Sequence, residues 1–394
     1  MENSLKFNFH WLLLILIPIF SWGCFWFVGF PHYIEKIMAL AISVLLLLFF
    51  FISGIREVRL PNDKVLVVFL VISFISIINA YLYWEQSPAL TFSSCFGIYI
   101  YIYYFVLKKF NVTQTQIKNL LIFFSILYMV LWLYAFSQAP EVVFGNAEEI
   151  QDNRGMYRVQ LNGIDLVCLL YFYSINRVVC ERKYGINLFL AIVSFLFIFS
   201  SLSRMLIAAA VLVTLFLIFK RASFKILLIV SLFFALFYGY VMRNEVVNNL
   251  IELQEAQSET GSDKLIRNEY TDCFNLFPVN IGTFLFGNGA AHPSSEYGKR
   301  EESLKNTYGF HRSDAGFPSL YVTYGFVSLL LIAVLFIRIL NTKIPDHYYH
   351  YKLYIIFFII TSITTDYFVN SGVSLMITLY SLSIFETKKS LERV

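Results

Sequence analysis

Charge is what this sequence has least of. Asp, Glu, Lys and Arg make up 14% of its 394 residues, where a soluble domain carries about 25%. A water-soluble domain of ordinary composition is thereby excluded. The net charge of +4 is small for the length and leaves no footprint for nucleic-acid binding. Cysteine is scarce as well. Cys24, Cys95, Cys168 and Cys180 lie in or beside apolar runs, and Cys273 stands alone in a long polar stretch. No disulfide is expected, and the thiols read as small buried hydrophobes. There is no internal repeat, low-complexity tract or linker, so the chain reads as one domain over 1–394. The polar stretches hold no His-x-x-x-His and no paired Asp motif, and His292 and His311 lack ligand spacing; no metal site is expected.

What is present is apolar and aromatic. Hydrophobic residues make up 58% of the chain, with 42 Phe and 26 Tyr, too many for one soluble core. A helix needs about 20 mostly apolar residues to cross a bilayer, and open sheet cannot satisfy its backbone there. Suitable runs lie near 10–30, 35–54, 64–84, 89–108, 117–138 and 161–178, then near 186–202, 204–220, 223–242, 317–338, 351–368 and 371–386. The first lacks a small-residue cleavage site and reads as a transmembrane helix. The expectation is an all-α, polytopic integral membrane protein with about twelve transmembrane helices. The pairs around Ser201 to Arg204 and around Asp366 to Gly372 would each also fit one broken helix.

The basic residues assign the sides. Alternate connections hold Arg56, Arg59 and Lys64; Lys108, Lys109 and Lys118; Arg177, Arg182 and Lys183; Lys220, Arg221 and Lys225; Arg338, Lys343 and Lys352. With Lys6, Lys388, Lys389 and Arg393 they place nineteen of the thirty Lys and Arg on one side, which the positive-inside rule makes cytoplasmic. Both termini are then expected inside. The other side carries two loops, about 139–160 and 243–316, the second expected to contain short helices. Function on a rigid scaffold concentrates in such loops.

Four constellations there bear chemistry. Arg154 and Arg158 lie four apart in the first loop; they would share a helix face, or converge from a turn, to grip phosphate, or they pair with Glu148, Glu149 and Asp152. Arg204 opens an Ala-rich span, where an Arg either snorkels to headgroups or marks a site. In the long loop, 263–277 suits an interfacial helix bearing Arg267, and Leu285-Phe286-Gly287-Asn288-Gly289 follows. This glycine pair is not a nucleotide fingerprint, for no suitable helix follows it. Last comes His311-Arg312-Ser313-Asp314 ahead of the next span. His311 and Asp314 suit general-base work, while Ser313 or Asp314 equally suits a helix N-cap. The intramembrane acids Asp165 and Asp366 suit a proton or substrate path, or hydrogen-bond locally or pair with an Arg at the outer edge.

In topology over the whole chain, and in short motifs, the sequence resembles the bacterial O-antigen and capsule polymerases (Wzy-type), relatives of the O-antigen ligases. The motifs are Ser203-Arg204-Met205-Leu206 opening an Ala-rich helix, Arg267 about twenty residues before Leu285–Gly289, and Asp314 eleven before Gly325. Ligases place a His where this chain has Asp314, so the resemblance favours a polymerase; His311 remains a rival for the same role. The resemblance implies a glycosyltransferase of GT-C-like, inverting type in the bacterial inner membrane. It would move a growing glycan from undecaprenyl pyrophosphate onto a repeat unit on the same lipid, at the periplasmic face. Arg154, Arg158, Arg204 and Arg267 would hold the pyrophosphate, and Asp314 or His311 would take the acceptor's proton. No nucleotide, metal or other cofactor is implied, and a chain-length co-polymerase is the implied partner. A ligase is the nearest alternative; a lipid-linked oligosaccharide flippase or other transporter is the next, although such proteins often show repeated halves.

Overall fold

The computed structural model of the protein describes residues 9–22, 32–141, 143, 150–153, 156–159, 161–221, 274–308, 312, 315–370 and 372–391. Helices dominate. In chain order they are α1 (Phe9–Trp22), α2 (His32–Ile52), α3 (Pro61–Trp84), α4 (Pro88–Cys95), α5 (Tyr103–Lys109), α6 (Gln114–Gln138), α7 (Ile164–Glu181), α8 (Ile186–Ser200) and α9 (Arg204–Arg221). After the undescribed stretch come α10 (Ile281–Phe286), α11 (Glu296–Tyr308), α12 (Gly316–Asn341), α13 (His350–Thr361), α14 (Tyr367–Asn370) and α15 (Gly372–Leu391).

Among the described residues four segments are long and apolar enough to cross a membrane: α3, the continuous α4–α5 segment over Pro88–Lys109, α6 and α12. Shorter apolar helices accompany them over His10–Phe20, Ile37–Ile52, Ile186–Ser200 and Gly372–Thr387. Their outward faces are apolar. Val68, Val71 and Ile78 on α3, Ile126, Val130 and Leu133 on α6, and Leu330, Val334 and Ile337 on α12 are all exposed. Rows of large apolar side chains facing outward along several helices suit hydrocarbon, not water.

The α4–α5 segment is the hub. It is 72% buried, against 50% for α3 and 44% for α6, and every residue from Ile98 to Leu107 is buried. A helix apolar on all sides belongs in the middle of a bundle. A 3-10 stretch over Phe96–Ile102 joins its two α-helical parts. The last helical region is divided too: α13 stops at Thr361, and α14 and α15 follow after a turn.

The basic connections gather at one end, tied by acids from the same connections. Asp63, fully buried, accepts from Lys108 Nζ (2.5 Å), Tyr104 Oη (2.5 Å) and the Leu60 N–H (2.6 Å). Arg221 pairs with Asp346 at 2.6 Å, and Arg338 pairs with Glu386, which also accepts from Asn62 Nδ2 at 2.6 Å. Among the described residues no ion pair joins this set to the residues of the two opposite loops.

Of the two alternatives for Arg154 and Arg158, a shared helix face or a turn, the first of those opposite loops rules out the helix. Ile150–Asn153 and Met156–Val159 form a two-stranded antiparallel ribbon, with Gln151 opposite Arg158 and Asn153 opposite Met156. The Tyr and Val of the second strand favour extended backbone, and the Asn153-Arg154-Gly155 sequence is that of a tight turn. Trp132 Nε1 donates to the Val159 carbonyl at 3.1 Å and so fixes the ribbon to α6. The run near 223–242 and most of the proposed interfacial helix at 263–277 lie outside the described residues.

Candidate functional site

The second opposite loop, where described, closes over a break in α12. Gly325 has φ 79° and ψ 174°, so the helix is interrupted there. The carbonyls of Val322 and Thr323, at the break, accept the N–H groups of Asn288 (2.8 Å) and Gly289 (3.0 Å). Broken helices must find such replacement partners when buried. The fit is close from both sides. A Cβ on Gly287 would overlap the Thr323 backbone, and one on Gly325 would overlap the Leu285 carbonyl. The Leu285–Gly289 motif and the glycine of the following span are thus two halves of one clasp.

Side chains from α3 lock the clasp. Asn79 Nδ2 donates to the Gly287 carbonyl at 2.8 Å, and Trp84 Nε1 to Asn288 Oδ1 at 2.9 Å. Gln86 donates to the Ala290 carbonyl (2.8 Å) and accepts from the His292 N–H (2.9 Å) and Ser295 Oγ (2.6 Å). The Trp84 ring stacks on Tyr297 at 4.5 Å, and the Arg300 guanidinium lies over the Trp84 ring, 5.2 Å from its centroid. These bonds pin α11 across the end of α3.

Arg312 stands over the break. Its Nε donates to Ser319 Oγ at 3.1 Å and its Nη2 to Thr323 Oγ1, both on α12. Ser319 Oγ in turn donates to Asp366 Oδ2 at 3.1 Å. Its remaining nitrogen, Nη1, lies 3.7 Å from Glu301 on α11, a loose pairing. Burial works against the charge, but Glu301 and, further down, Asp366 favour it, and the guanidinium's pKa stays above its usual value. Arg312 with Glu301, Glu302, Lys305, Ala291, Pro293 and Gly298 lines a cavity of about 290 Å³. A fixed guanidinium with one loosely held edge, beside a lysine, can take an oxyanion. No protein-family model and no curated protein matches the chain.

The site is reached by residues that the sequence reading only flanked. Arg312 is not singled out by its sequence pattern; its place between His311 and Asp314 is the one local signal for it. Asp366 accepts a hydrogen bond from Ser319, the local alternative of the two, and is joined to Arg312 through that hydroxyl. Asp165 does not reach the cavity. It accepts from Ser374 Oγ, itself 2.5 Å from Tyr354 Oη, and ties α7 to α15. Arg204 is the exposed first residue of α9 and forms no ion pair or hydrogen bond with another described residue. It is not among the residues lining the cavity. Arg158 sits on the ribbon's second strand. Arg154, Arg267, His311 and Asp314 lie outside the described residues.

Proposed function

We propose that the chain is a surface-polysaccharide polymerase of the bacterial inner membrane, crossing it about twelve times, with both termini in the cytoplasm and its site at the periplasmic face. The observation that carries this reading is the clasp. The two glycine motifs behind the resemblance pack directly on each other, and Arg312 is held over the junction at the wall of a cavity. A fixed cation over a helix break is a suitable place to bring a pyrophosphate.

In this reading the donor is a growing glycan on undecaprenyl pyrophosphate and the acceptor is one repeat unit on the same lipid. The acceptor hydroxyl forms a bond to the anomeric carbon as the bond from that carbon to the pyrophosphate oxygen breaks. The electron pair leaves with the lipid pyrophosphate, whose charge Arg312, Lys305 and the loop arginines Arg154, Arg158 and Arg267 neutralise. Arg204 would join them if its helix start faces the same substrate. The proton passes to Asp314 or to His311. A single displacement inverts the anomeric centre. The donor is already activated, so the scheme calls for no nucleotide, and a chain-length co-polymerase is the expected partner.

The class of reaction is tested with purified protein in nanodiscs given lipid-pyrophosphate-linked repeat units. A ladder of glycans still on the lipid is the expected product. Transfer onto a lipid A-core acceptor without a ladder would make the protein a ligase. Unchanged units that only cross the bilayer would make it a transporter.

A further inference from the structure

A second cavity, of about 210 Å³, lies at the other end of α12 from Arg312. The first turns of α6, the last turns of α7 and the start of α13 meet there. Its wall carries Lys118, Arg177, His347 and His350 and, among the described residues, no carboxylate. Hydroxyls of Tyr173 and Tyr351 also line it.

The cations are incompletely answered. Arg177 donates Nη1 to Tyr173 Oη at 2.6 Å and Nη2 to Glu181 at 3.0 Å, but its Nε is buried without a partner. Glu181 is shared, for Lys183 reaches the same carboxylate oxygen at 2.8 Å. Lys118, half-buried, forms no ion pair with another described residue. His350 is buried, and its Nδ1 faces the His347 carbonyl at 3.2 Å. Gln114 and Thr115, on the same wall, are the first two residues of α6. Their N–H groups belong to the turn that an α-helix leaves unpaired, and a helix start favours an anion. The wall thus offers the unpaired Lys118, the unpartnered Nε edge of Arg177 and the N–H groups of a helix start, with no acid among the described lining residues, a set that suits negative charge.

We propose that this cavity binds a phosphate ester, presented either by an anionic lipid headgroup or by a soluble phosphate, at the membrane face opposite the Arg312 site. Bound there, the phosphate ties α6, α7 and α13 together. The cavity sits where apolar helices end among tyrosines, the level at which headgroups lie, and the topology proposed above makes that face cytoplasmic.

The test is a lysine acetylation footprint of the intact protein, read by mass spectrometry as labelling of Lys118 relative to Lys183, an exposed lysine at the same end. Three conditions are compared: phosphatidylcholine nanodiscs, the same nanodiscs with millimolar inorganic diphosphate, and phosphatidylglycerol nanodiscs. The Lys118 to Lys183 ratio should fall at least fivefold in one of the last two, and which one identifies the source. Arg177→Gln should abolish the protection. An equal ratio in all three conditions with wild-type protein would overturn the proposal, whatever the variant does. So would protection that Arg177→Gln leaves intact.

Discussion

Gly287 and Gly325 each press on the backbone just before the other, with no room at either for a Cβ. Gly287 abuts Thr323 and Tyr324, and Gly325 abuts Leu285 and Phe286. Both have φ near +80° with extended ψ, a region essentially closed to other residues. Gly287→Ala and Gly325→Ala should each destabilise the protein by about 2–4 kcal/mol, from overpacking and backbone strain together. Because both changes open the same clasp, the double variant should cost less than the sum. Thermal unfolding in detergent measures all three.

Trp84 should show two separable roles. Trp84→Phe keeps a ring to stack on Tyr297 but loses the bond to Asn288, for a cost of about 1 kcal/mol. Trp84→Ala loses both and should cost about 3–5 kcal/mol. Equal costs would mean that the stacking contributes nothing.

At the opposite end, the buried Asp63 and Lys108 form a pair whose rupture strands a charge. Asp63→Asn should destabilise by about 3–5 kcal/mol. The double variant Asp63→Asn with Lys108→Met should recover part of that loss. A double-mutant cycle by thermal unfolding gives the coupling.

Much of this was legible in the sequence, because hydrophobic period and basic loops report directly on solvent. The runs that became α3, α6 and α12 are continuous in Val, Ile, Leu and Phe, and lipid-like surroundings demand no more than that. The interior was less legible. Nothing local marks Phe96–Ile102 as a 3-10 stretch, since its shape is set by packing around it. At 150–159 the spacing of two arginines left a helix face and a turn both open; Tyr157, Val159 and the Asn-Arg-Gly sequence are the residues that favour a ribbon. Arg312 was missed for a different reason. Its role depends on Ser319, Thr323 and Glu301, and only the fold brings those together.

The proposed sidedness rests on the gathering of basic loops at one end. In a variant with all five cysteines replaced, Lys343→Cys should react with an impermeant maleimide only in inside-out vesicles. Glu302→Cys should react only in right-side-out cells. The reverse pattern would invert the proposed topology.

In the proposed function Arg312, with the loop residues around it, neutralises a lipid pyrophosphate while a neighbouring base takes the acceptor's proton. Ladder formation from lipid-pyrophosphate-linked repeat units is compared for wild type, Arg312→Gln, Arg267→Ala, Asp314→Asn and, as an exposed control, Lys343→Gln, at matched folded yield. A ladder is expected for wild type and Lys343→Gln, and losses of at least about a hundredfold for Arg312→Gln and Asp314→Asn, the scale of removing a transition-state charge partner. Arg267→Ala should also be impaired. Wild-type ladders from folded Arg312→Gln and Asp314→Asn would contradict the proposed function.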